Sequence, residues 1–265
     1  MPGIRVLLVS LCFFGFSFHS FAQLDSIVEA MEAKKKAKHH NNTNNAVLVS
    51  IYYTALFPEG VLSQRFGFSN DVGANISYKV NHNWLIGVEG AYLFGAKVKE
   101  DPISNSIATY SSPGQIIGLD GTLLTPGLAL SGFEIAFRVG KIIAFTKKHP
   151  NSGIQISVAP GFMDHKILIT ANTNNYPQLD PTYKKGYDRL TYGPSVAGYL
   201  GYLFLERKKF LSFSAGIDYA VGFTKNKRYN IDQMSADNNL RTDMLIGIKV
   251  GWVIPVFLNK EHVYY

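Results

Sequence analysis

The chain has 265 residues, 46% of them hydrophobic and 17% charged, with 18 Phe, 15 Tyr, 24 Gly and one Cys. That length suits a single barrel or one to two soluble domains, and beyond the N-terminus no stretch nears the ~18 unbroken apolar residues of a membrane helix. Part of the +7 net charge is concentrated at Lys34, Lys35, Lys36 and Lys38, which excludes a basic face spread out for nucleic acid.

Residues 1–22 read as a secretory signal: Arg5 gives the positive start, Val6 to Phe16 the apolar core, and Ser20 and Ala22 the small residues that cleavage needs. Cys12 lies in that core, and its early position between Leu11 and Phe13 argues against an acylated lipoprotein cysteine. Its removal leaves a mature chain without thiols or disulfides. From Gln23 to His40, Leu24, Ile27, Val28 and Met31 share one helical face, and the Lys run sits at the end where a helix favours cations. This is a short amphipathic periplasmic helix or, because isolated helices of this length are marginal, a frayed linker. With the Asn-rich stretch Asn41 to Asn45 it makes a 23–45 unit ahead of a 46–265 unit.

Eight segments with a two-residue period follow. Ala46 to Phe57 places Val47, Val49, Ile51 and Tyr53 on one face. Asp71 to Val80 sets Val72, Ile76 and Tyr78 against Asp71, Gly73, Asn75 and Lys79. Trp84 to Gly95 sets Ile86, Val88 and Tyr92 against Gly87, Glu89 and Ala91. Ser131 to Phe145 sets Phe133, Ile135 and Phe137 against Glu134, Arg138 and Gly140. Gly153 to Thr170 sets Ile154, Ile156 and Val158 against Gln155 and Ser157, and Pro160 predicts a bulge or irregularity. Asp188 to Leu205 sets Leu200, Tyr202 and Phe204 against Arg189, Thr191 and Ser195. Lys209 to Phe223 sets Phe213, Ile217 and Tyr219 against Ser212, Ser214 and Asp218. Arg241 to Phe257 is the most regular, with Met244, Ile246, Ile248, Val250, Trp252, Ile254 and Val256 opposite Asp243, Gly247, Lys249 and Gly251.

The connections alternate between long (58–70, 96–130, 171–187, 224–240) and short (81–83, 146–152, 206–208). An even strand count with this alternation predicts an all-β, eight-stranded antiparallel transmembrane β-barrel, its apolar face toward lipid and both termini periplasmic. Tyr78, Trp84, Phe145, Phe204, Phe210 and Phe257 fall at the short-turn side, as an aromatic belt would. A lipocalin-like barrel or a β-sandwich gives the same alternation with the apolar face inward. The regular Gly, Ala and Ser of the polar face and the aromatic richness of the other oppose it.

The inward set is then Asp71, Lys79, Glu89, Glu134, Arg138, Arg189, Asp218, Arg241, Asp243 and Lys249. Mixed signs in a barrel of this size predict a lumen ion-pair network rather than an aqueous pore, with a proton or small-solute path as the alternative. Asp164-His165, at the outer end of the fifth segment, is a candidate pair for a lipid A-modifying or proteolytic enzyme. No matching Ser spacing or second His motif accompanies it, so no catalytic residue, cofactor or metal is assigned. The segment Gly114 to Thr125 is apolar for a loop: it is either a hairpin continuing the wall, with Gly118, Asp120 and Gly121 at its turn, or a patch presenting Ile116, Ile117, Leu119 and Leu123 to a partner.

In the last strand, Lys249, Gly251, Ile254 and Val256 resemble the signal by which outer-membrane barrels are recognised for assembly. The chain as a whole resembles the small outer-membrane β-barrels of Bacteroidota, the PorT-like and OmpA-like eight-stranded group. That resemblance implies contact with outer-membrane lipid and with the barrel-assembly machinery. It also implies a role as structural anchor or binding partner, open to a type IX secretion-linked assembly and a protein partner, without nucleic acid.

Overall fold

A computed structural model describes residues 45–258 apart from 104–106, 108–114, 146–148, 150, 172–174, 207–210, 232 and 238. The expected signal sequence, the expected N-terminal helix and Phe210 lie outside the described residues. The chain runs β1 (Ala46–Gly60), α1 (Leu62–Arg65), β2 (Ser69–Lys79), β3 (Trp84–Gly95), β4 (Ile116–Ile117), β5 (Leu123–Leu124), β6 (Gly127–Ile143) and β7 (Gly153–Thr170). It continues through α2 (Pro181–Lys184), β8 (Thr191–Phe204), β9 (Ser212–Asn226), β10 (Tyr229–Asn230), β11 (Ser235–Ala236) and β12 (Leu240–Phe257).

The eight long strands close into one antiparallel barrel in the order β1-β12-β9-β8-β7-β6-β3-β2. The strand ends differ from the alternation in the sequence where a partner strand decides them. β6 starts at Gly127 because it pairs as far as Thr170 of β7. β8 starts only at Thr191 because Arg189 takes a left-handed φ of 52°, which no strand accepts.

The register can be followed once around the wall. Ala46 faces Lys79, then come Leu85, Gly140, Ser157, Tyr199, Asp218 and Gly247, and the row returns to Leu56, ten residues from its start. Every residue on this circuit is buried. A stagger of that size over eight strands tilts them by about 40° and leaves an interior that side chains fill. The irregularity expected at Pro160 is a break in the ladder rather than a bulge. Pairing stops after Ala136↔Gly161 and resumes at Val139↔Val158 with no residue inserted, because Pro160 has no N–H to give. Pro194 interrupts the β8–β9 ladder in the same way.

Polarity is inverted relative to a soluble barrel. Ile135 is 67% exposed on the outside while Arg138, three residues on, is 5% exposed in the lumen. Ile51, Val88, Leu200, Ile217 and Ile248 continue the exposed apolar surface, and Tyr78, Trp84 and Phe145 lie on it beside the short turns. The lumen is layered. Ala46, Leu48, Leu85, Ile142, Leu203 and Val253 pack toward the short turns. Charged residues fill the middle. Leu56, Leu93, Met163 and Leu245 lie toward the long loops, under Phe66, Ile103, Ile116 and Leu179 from the loops themselves.

The large rings of the lumen need small residues opposite them. Tyr52 lies between Gly73 and Gly251, and a Cβ on Gly73 would stand 2.5 Å from the Tyr52 ring. Gly73→Val is therefore expected to cost about 1–3 kcal/mol by overpacking. The reading is a lower temperature for conversion of the compact to the unfolded band on unboiled gels.

Candidate functional site: the filled lumen and its loop cap

The centre of the lumen is a charge-balanced cluster drawn from four strands: Glu89 of β3, Arg138 of β6, Asp218 of β9 and Lys249 of β12. Arg138 donates through Nε to Glu89 Oε2 at 2.7 Å and through Nη1 to Ser157 Oγ at 2.7 Å. Its Nη2 reaches the other Glu89 oxygen, with Asp218 Oδ1 at 3.4 Å. Lys249 Nζ donates to Asp218 Oδ1 at 2.9 Å and lies 4.3 Å from the centre of the Tyr52 ring. Two cations thus meet two carboxylates, with aromatic faces completing the cage, as buried charges require. Beside the cluster is a cavity of about 50 Å³ lined by Ser50, Asn75, Ser77 and Gln155 among others, a space for water rather than for a substrate.

The remaining inward residues of the sequence reading divide. Lys79 is fully buried near the short turns, where Nζ donates to Asn151 Oδ1 at 2.9 Å. Asp71 and Glu134 line the lumen without a salt bridge among the described residues. Arg189 and Arg241 form ion pairs at the loop end of the barrel, apart from the central cluster. Arg189 precedes the strand and donates to Glu100 Oε1 at 2.9 Å, and Arg241 pairs with Asp237 at the loop end of β12. For Arg189 the reason is that two-residue alternation does not hold past a strand's last paired residue, whereas Arg241 is paired with Thr224 in the ladder and its side chain turns to Asp237.

Asp243 belongs to an upper cluster. Its Oδ2 is 2.8 Å from His165 Nε2 and accepts from Thr224 Oγ1 at 2.5 Å. Asp164 and His165 therefore do not form the rim pair considered from the sequence, because neighbours on a strand point to opposite faces. Asp164 Oδ1 accepts from the Phe133 N–H at 2.7 Å on the outer side, while His165 is 2% exposed in the lumen beneath the edge of Phe66. Thr224 donates to Asp243 and not to the imidazole. Above it Glu100 bridges Arg65 of α1, at 2.7 Å, and Arg189, and Arg65 Nη1 also reaches Thr191 Oγ1 at 3.1 Å. Further out Arg228 pairs with Asp188, whose carboxyl burial pushes up while Arg228 opposes the shift. Phe66, Glu100 and Thr224 were not singled out in the sequence. Each gains its role from a partner on another strand or loop.

The apolar loop segment is a hairpin, since β4 and β5 pair Ile116 with Leu124 and Ile117 with Leu123. It does not continue the wall, as its two strands form a separate sheet. Leu119 N–H instead donates to Asn175 O at 2.9 Å, Asn175 Nδ2 donates to Asp120 Oδ2 at 2.9 Å, and the Thr122 and Tyr176 hydroxyls lie 2.9 Å apart. Thr122 also donates to Asp120 from its hydroxyl and its amide, which holds the Asp120 carboxyl below its usual range. Ile116 is buried under this arrangement, so it leaves the docking set, whereas Ile117, Leu119 and Leu123 remain exposed. In β12, Lys249 and Gly251 point into the barrel and Ile254 and Val256 out of it.

No protein-family profile and no curated protein matches the chain. Solved structures with a similar course of chain include Ail, the attachment invasion locus protein of Yersinia pestis, in complex with the heparin analogue sucrose octasulfate. It is 8% identical, with 80% of this chain and 98% of that one covered and a TM-score of 0.37. Neisserial surface protein A is 9% identical, with 80% and 97% covered and a TM-score of 0.42.

Proposed function

We propose that the chain is an outer-membrane barrel that serves as an anchor or binding partner through its long loops, without a conducting pore and without catalysis. The observation that carries this reading is the inverted polarity: an apolar, aromatic exterior around a lumen closed by Arg138, Glu89, Asp218 and Lys249. Such a surface is solvated by lipid, and closure leaves the barrel without an unpaired sheet edge. By the layout of such barrels the short turns and both termini face the periplasm. The 23–45 segment then lies there, and Lys249, Gly251, Ile254 and Val256 offer the assembly machinery a terminal strand. The loops, packed over the upper lumen, form the face available to a protein of an envelope assembly, a secretion-linked one included.

Reconstitution tests it. The protein should require detergent, migrate as a compact band without boiling and as a slower band after it, and give no discrete conductance steps in planar bilayers. Large ion-selective steps would establish a channel. A change in lipid A mass that depends on this gene and vanishes in His165→Ala would establish the enzyme.

A further inference from the structure

The exposed apolar outer wall has a depression beside Gly90. Around five strands the outward residues Val72, Tyr92, Phe133, Asp164 and Tyr192 sit opposite one another in a single row. In the row below, Gly90 faces outward where its neighbours carry side chains, and a Cβ there would meet only Glu134 O, at 3.7 Å. The resulting groove has a volume of about 680 Å³, with Tyr92, Phe133, Ile135 and Phe162 among its walls. That volume lies in the range of small-molecule sites. The groove opens outward on the lipid-facing side, so what fills it in a membrane is an apolar chain.

Its loop-side rim is cationic. Lys227 lines the groove, with Nζ 5.0 Å from the centre of the Tyr192 ring. Lys225 is exposed opposite Tyr192 in the β8–β9 ladder. Lys166 follows Asp164 by two residues on the same outer face of β7, opposite Ser131. Asp164 and Asp188 are acidic side chains near these lysines; the Phe133 N–H already occupies one Asp164 oxygen, and Arg228 pairs with Asp188. An apolar slot capped by three lysines complements an amphiphile with an anionic head. We propose that this groove is a lipid site that takes the acyl chain of a membrane lipid of net negative headgroup charge along Phe133, Ile135 and Phe162 and its anionic phosphate headgroup at Lys166 and Lys227. The proposal rests on the membrane reading above.

Native mass spectrometry of the full chain in mild detergent tests it, with phosphatidylglycerol and phosphatidylcholine as the two probes. Wild type should retain one phosphatidylglycerol about tenfold or more over phosphatidylcholine, since each lysine near an anionic surface contributes about 1 kcal/mol. The double variant Lys166→Gln/Lys227→Gln should retain both lipids equally. Gly90→Leu, which fills the groove, should reduce retention of both, and Val72→Trp fills it from the opposite wall should Gly90→Leu fail to fold. Equal retention of the two lipids by wild type would overturn the proposal. So would retention that the groove-filling variants leave unchanged, or release by inorganic phosphate alone with those variants still binding. Compact migration of the unboiled protein reports the barrel independently, so wild type that migrates compactly yet retains both lipids equally defeats this site and not the membrane reading.

Discussion

Arg138→Met is expected to lower the stability of the reconstituted barrel by about 3–5 kcal/mol, the cost of breaking a buried ion pair from one side. Arg138 makes two bonds to Glu89, one to Ser157 and a longer one to Asp218. Methionine replaces only the aliphatic stem of the side chain and restores none of them. Lys249, at 2.9 Å from Asp218 and 4.0 Å from Glu89, would be left to balance two carboxylates in a filled lumen. The measurement is the urea midpoint of unfolding from vesicles, followed by the gel shift. Adding Glu89→Gln removes the unbalanced charge and leaves the Lys249–Asp218 pair, so the double variant should regain more than half of the loss. A single variant as stable as wild type would show that the cluster does not hold the strands together. A double variant no better than the single would show that packing of the guanidinium, and not charge, was lost.

The parity of the strands made this lumen legible. A period of two sorts every residue of a regular strand onto one of two faces, so Glu89, Arg138, Asp218 and Lys249 could be placed inside from the sequence. Their pairing could not, because it depends on the ten-residue stagger that sets which levels of β3, β6, β9 and β12 meet. The same limit hid the upper cluster, where His165 and Asp243 are 78 residues apart in sequence. Parity also misled where a strand ends earlier than the pattern suggests. The alternation places Arg189 in the lumen only if it extends beyond Thr191, into a residue with left-handed backbone. The aliphatic layer has a different origin: Leu48, Leu203 and Val253 sit at inward positions near the short turns, where apolar packing does not compete with the charges. In the apolar loop, Gly118, Asp120 and Gly121 announced a turn, but two-residue strands carry too little pattern to say which surface receives them.

That loop offers the sharpest contrast between neighbouring residues. Ile116→Asp is expected to destabilise the loop cap by about 3 kcal/mol or more, while Leu119→Asp and Leu123→Asp change it by no more than about 0.5 kcal/mol. Ile116 is 1% exposed and belongs to the same apolar cluster as Phe66, Ile103, Tyr176 and Leu179, so a carboxylate there is buried without a partner. Leu119 and Leu123 are 77% and 53% exposed and meet water in either case. The cap is tied to the barrel by loop contacts rather than by ladder bonds, so Ile116→Asp should open it locally and leave the wall folded. Hydrogen exchange at Gly118, Leu119 and Leu179, whose amides bond within the loops, should accelerate by about two orders of magnitude or more. Exchange across the β1–β12 ladder should not change. If Leu119→Asp produced the same acceleration, the exposed tip would itself be part of the packed cap. If Leu119→Asp and Leu123→Asp left exchange untouched and released a co-purifying protein, the tip of the hairpin would be where that protein binds.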